Sequence, residues 1–117
     1  MAYQRKKNPQ AWQNLMLTEQ WDVKGSGGAG ATATKTTAGA GFRHLITEIL
    51  VNSSAASVVQ IKSGSTVRWE FDLPANTVVP IEMSGCPIRC NPNEDAVVNV
   101  STGTAKVNIS GVTIKDP

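Results

Sequence analysis

From residue 42 onward, turn residues cut the chain into short apolar–polar runs at intervals of roughly 8–12 residues, too close together to leave helices between them. The runs cover residues 42–51, 57–62, 66–73, 77–83, a short 84–89, 96–100 and 104–114. The turn signals between them include Asn52-Ser53-Ser54, Ser63-Gly64-Ser65, Pro74-Ala75-Asn76 and Asn91-Pro92-Asn93. Gly111 inside the last run is expected to mark a bulge. The cleanest run is Thr66–Leu73, where Val67, Trp69 and Phe71 alternate with Arg68, Glu70 and Asp72. That alternation is the signature of a half-buried strand, with Trp69 and Phe71 toward the core. Composition agrees, because Val, Ile and Thr number 30 of the 117 residues and suit a pleated surface. The expected fold is all-β, an antiparallel jelly-roll-like sandwich preceded by an extended N-terminal arm.

Three parts are expected: an arm over 1–24, a Gly-rich linker or edge segment over 25–41, and a β-sandwich body over 42–117. The arm holds Tyr3, Trp12, Met16 and Trp21, and Trp12, Leu15 and Met16 fall at helical spacing behind Pro9. Side chains this large need burial, either on the body or on another protein. The segment 25–41 holds six of the ten Gly residues and no apolar side chain larger than Ala. It reads as flexible coil, which favours docking on a partner, with an edge strand over 31–38 as the alternative. Trp12, Leu15, Met16 and Trp21 are therefore expected to be arm anchors, and deletion of 1–24 to leave a folded body. In the run 42–51 the apolar residues Leu45, Ile49 and Val51 oppose Phe42, Ile46 and Leu50. A strand apolar on both sides is covered on both sides. Phe42, His44 and Ile46 are accordingly expected at a subunit interface.

The formal charge of +2 sits wholly in 1–24, where Arg5, Lys6, Lys7 and Lys24 meet Glu19 and Asp22; residues 25–117 carry seven charges of each sign. A neutral body with a basic tip argues against a general nucleic-acid binder, since affinity there follows the number of phosphates neutralised. Arg5, Lys6 and Lys7 are better suited to steering toward an acidic protein surface. No apolar run suits a membrane span or a signal-peptide core, so the chain is expected to be made and kept in the cytoplasm unless it leaves within a particle.

The sequence offers no catalytic constellation. His44 is the only histidine. It reads as a surface or interface residue, or as a buried histidine that makes assembly sensitive to pH. Cys86 and Cys90 have neither the four-ligand complement of a structural zinc site nor the redox dithiol spacing. They read as two free thiols, at least one buried, with a disulfide as the alternative. Asn91, Asn93, Glu94 and Asp95 lack the order of a calcium loop and read as a turn with solvated acids. No enzyme activity, metal, cofactor or small-molecule substrate is expected.

The wording of residues 40–115 nonetheless resembles a family. The stretches AGFRHLITEILVNSSAASVVQIKSGSTVRWEFDLPANTVVPIEM and AVVNVSTGTAKVNISGVTIKD carry the likeness. Their shared elements are a Gly followed by Arg-His at the head of a long strand, the Ser-Gly-Ser hairpin before Val-Arg-Trp, and the closing Val-Asn-Ile-Ser-Gly. They are similar to the small β-sandwich virion proteins of tailed bacteriophages, of the capsid decoration or cement type. The resemblance implies a homotrimer on the outer capsid surface, with the major capsid protein as partner. The other function considered is a receptor- or glycan-binding module of a tail or head fibre. It would want exposed body aromatics, which this sequence is not expected to supply.

Overall fold

The computed structural model describes residues 17–115, with side chains from residue 19. Nine strands are present: β1 (Leu17–Gly27), β2 (Ala31–Lys35), β3 (Phe42–Ser53), β4 (Ser57–Ser63), β5 (Thr66–Leu73), β6 (Thr77–Glu82), β7 (Ile88–Arg89), β8 (Ala96–Val100) and β9 (Ala105–Lys115). There is no helix among the described residues, so the chain is all-β. One sheet runs β1-β9-β3-β6, with β7 paired to β3 beside β6, and the other runs β2-β8-β4-β5. All pairings are antiparallel and the two sheets pack as a sandwich.

The core follows from alternation. Val59 and Ile61 of β4, Val98 and Val100 of β8, Ile49 and Val51 of β3, and Val107 and Ile109 of β9 are all essentially sealed from solvent. Burying each such side chain contributes roughly 1.5–3 kcal/mol, which is why the period-2 pattern fixes the register. Buried polar side chains are also satisfied: among the described residues, no buried side-chain nitrogen or oxygen lacks a hydrogen-bond partner.

β3 divides its apolar residues differently from expectation, leaving Leu45 and Leu50 on the outer face. Its register against β9 shifts between Ile46 and Glu48, so Thr47 is an extra residue. The bulge resets the alternation and lets His44, Ile46, Ile49 and Val51 all face inward. The expected irregularity at Gly111 is therefore real but lies on the opposite strand. Gly111 itself is required by close approach, since a Cβ there would run into the Leu45 carbonyl and the Trp21 indole.

The first 41 residues depart most from expectation. Residues 17–27 form β1, paired with β9 from Leu17↔Ile114 to Gly27↔Ala105. Trp21 is not an arm anchor but a core residue, 9% exposed, with its indole Nε1 donating to Thr113 Oγ1 at 3.1 Å. The segment 25–41 is not a linker either, because β2 pairs with β8 over Ala31–Lys35 and buries Ala31 and Ala33. The edge-strand alternative was the right one. Gly25 lies where β1 and β2 close the flank of the sandwich, and a Cβ there would strike the Thr32 carbonyl. Small residues are thus the condition for bringing the two sheets together on that side. Because β1 extends to Gly27, deletion of 1–24 would remove most of a sheet strand and would not spare the body. Arg5, Lys6, Lys7, Trp12, Leu15 and Met16 lie outside the described residues.

Candidate binding groove

The two flanks of the sandwich differ. On one, β1 and β2 close together. On the other, β6 with β7 edges one sheet and β5 edges the other. Here the sheets part into an open groove of about 560 Å³. Trp69 of β5 forms one wall, and Ile81, Met83, Pro87 and Ile88 form the other. Arg68, Arg89, Glu82 and Cys86 stand around them.

The expectation that Trp69 faces a closed core is corrected by this geometry. Val59 lies opposite Phe71 and Ile61 opposite Trp69, so both aromatics do point to the inner side of their sheet. Phe71 is half-buried against the core, but Trp69 runs past the cover of the facing sheet and is 47% exposed. The two rings are tilted against each other at 5.8 Å, which steadies the indole. Val67, paired with Lys62 beyond the register shift, falls on the opposite face and is also exposed.

Strict alternation would send Arg68 to the face away from Trp69. The β4–β5 register instead shifts, pairing Ile61 with Trp69 and Lys62 with Val67, so Arg68 is a bulged residue. Bulges re-aim side chains, and this one brings Arg68 into the same groove as Trp69. The Glu82 carboxylate is engaged by the Ser84 amide and hydroxyl, which hold its pKa below the usual value.

The other sequence-expected site residues lie elsewhere. His44 is 1% exposed inside its own chain, not at a subunit surface. Its Nε2 donates to the Thr36 carbonyl at 2.8 Å, its Nδ1 lies 2.7 Å from Thr113 Oγ1, and its ring meets Trp21 edge-on at 5.4 Å. A ring tied on both nitrogens and sealed from solvent is not presented to a substrate or a partner. Ile46 is fully buried in the same core. Phe42 is half-buried and keeps part of its ring at the surface. Both thiols are free, Cys86 exposed and Cys90 buried. Burial pushes the Cys90 thiol up to about 11. The acids of the 91–95 turn are hydrogen-bond acceptors that tie loops together, not solvated groups. Glu94 Oε1 accepts from Ser63 Oγ, and Asp95 Oδ1 accepts from the Thr37 amide.

Sequence reasoning missed Ile81, Met83, Ile88, Arg68 and Arg89 as a group. The apolar residues of 77–89 were legible as strand residues. What hid the groove is that its two walls come from different sheets. No protein-family model matches the sequence, and no curated protein matches it.

Proposed function

We propose that this chain is a structural protein of a phage virion that decorates a capsid shell, binding its outer surface as an oligomer and stabilising it, with no catalytic step. The observation that carries the reading is the open flank, where a half-exposed Trp69 stands over an apolar groove between two strand edges. Aromatic anchors of this kind dominate interface energetics. The resemblance of residues 40–115 to capsid decoration proteins names the partner as a major capsid protein and the oligomer as a trimer. The strand order supports the jelly-roll-like winding expected from the strand pattern. With the two-residue β7 set aside and the remaining strands renumbered in chain order, the sheets read 1-8-3-6 and 2-7-4-5. The protein is then made in the host cytoplasm and carried on the virion surface, with no role for nucleic acid, membrane or a small-molecule substrate.

Stabilisation works by mass action, since a ligand that binds only the assembled shell favours it by its binding free energy. Joined copies gain further from raised effective concentration. Trp12, Leu15 and Met16 are additional anchors on the shell, with Arg5, Lys6 and Lys7 steering the approach. Phe42 is the expected subunit contact that still has surface to offer. The test is to mix shells lacking this protein with the full chain and with Trp69→Ala, and to pellet them. The full chain should pellet at a fixed ratio and raise the shell's melting temperature, and Trp69→Ala should do neither. A full chain that stays in the supernatant and leaves the melting temperature unchanged would refute the proposal.

A second reading, a host-recognition module that binds a glycan, gains from the exposure of Trp69. A sugar ring could stack on that indole. A glycan-array signal that Trp69→Ala abolishes would favour it over shell decoration.

A further inference from the structure

We infer that the groove between β5 and the β6–β7 edge takes an extended, acidic and partly apolar segment of a partner protein, added as a strand along the free edge of β5. The inference rests on reading this flank as a binding surface, and not on the partner being a shell protein.

The edges come first. β5 is paired on one side by β4 and offers its other side unpaired, over eight residues without a proline and regular from Trp69 to Leu73 beyond the bulge at Arg68. Such an edge is a template for strand addition. β6 across the groove carries Pro80, which blunts its edge. Of the two strands that border the groove, β5 is therefore the one that can accept a partner's backbone. A strand laid beside it continues the sheet and sets its alternate side chains over the groove.

The walls decide what those side chains are. Ile81, Met83, Pro87 and Ile88 are aliphatic or thioether surfaces, and Ile81, Met83 and Ile88 are only partly buried by the protein's own core. They match Val, Leu, Ile or Phe. A saccharide's hydroxyls would find guanidinium donors but no free carboxylate acceptor, because the one carboxylate lining the groove already accepts from Ser84.

Charge supplies the last element. Arg68 and Arg89 both line the groove, and neither makes an ion pair or hydrogen bond among the described residues. Two uncommitted guanidiniums beside an apolar wall are suited to carboxylates, which they bind through paired charge-assisted hydrogen bonds. The Arg68 bulge is what puts a cation beside Trp69. A regular β5 would have left the indole without it.

The test uses the full chain and fluorescently labelled synthetic peptides that alternate Glu with Val or Leu. The controls are the same peptides with Lys for Glu, and a sodium polygalacturonate arm for anionic saccharides. Binding is read by anisotropy and by the change in tryptophan emission, which in a Trp12→Phe background comes from the buried Trp21 and the exposed Trp69. The Glu peptides should bind and the Lys peptides should not. Arg68→Gln and Arg89→Gln should each weaken binding about tenfold, and Trp69→Ala by at least about thirtyfold. Each variant should keep the wild-type circular-dichroism spectrum, since all three side chains are largely exposed. Equal binding of Glu and Lys peptides, unchanged affinity in both Arg variants, saccharide binding in place of peptide, or no peptide binding would overturn the inference. Peptide binding without shell attachment supports the groove and removes the virion reading. Shell attachment that survives Trp69→Ala, with no peptide bound, overturns the groove alone.

Discussion

Replacing Trp21 with Ala would remove a core side chain and a hydrogen bond at once. Its indole packs over Gly111, meets His44 edge-on and donates to Thr113. The expected loss is about 3–5 kcal/mol, seen as a lower denaturant midpoint. A surface anchor at this position would lose almost nothing. Thr113→Val tests the polar half of the cluster, because it leaves the Trp21 Nε1 and His44 Nδ1 without their shared partner. Its cost should be about 1–3 kcal/mol. The thiols give a pH test. Cys90 ionises at about 11 when folded against 9.0 ordinarily, so the unfolded chain releases its proton first as pH rises. The stability held below pH 9 should therefore decline toward pH 11, and Cys90→Ala should flatten that decline in denaturant titrations. None of this cluster was legible from sequence. Trp21 and Thr113 are 92 positions apart, and only the β1–β9 register brings them together.

At the scale of elements, the alternating runs were legible almost to the residue. β4, β5 and β8 begin and end within one residue of the sequence-based ranges, because Val, Ile and Leu alternate there with polar residues. β1 was not read as a strand, and β2 only as the edge-strand alternative over 31–38. The inner row of β1 passes from Trp21 and Val23 to Gly25 and Gly27, and that of β2 is Ala31 and Ala33, so the hydrophobic signal fades along the row. Isolated Gly in an otherwise alternating run does signal close backbone approach, and that cue was present in 17–27. Gly25→Ala should therefore destabilise the protein by about 1–3 kcal/mol, through a clash at the Thr32 carbonyl, in thermal or urea unfolding. The bulges at Thr47 and Arg68 were equally hidden, since nothing local distinguishes a bulged residue from its neighbours. They reversed two expectations, the placing of Ile46 and Ile49 on opposite faces of β3 and the outward Arg68.

For the whole molecule, the sandwich is closed by small residues on one flank and left open on the other. A chain beginning at residue 25 should be strongly destabilised against the full protein, because it lacks most of β1 and the Trp21 side chain. The central claim is that the open flank becomes covered when the protein works, and Cys86 reports on it, being exposed and part of the groove. Its rate of reaction with a maleimide should be measured in free and in shell-bound protein. Slowing by about tenfold or more on binding is the predicted result; equal rates in the two states would contradict the account.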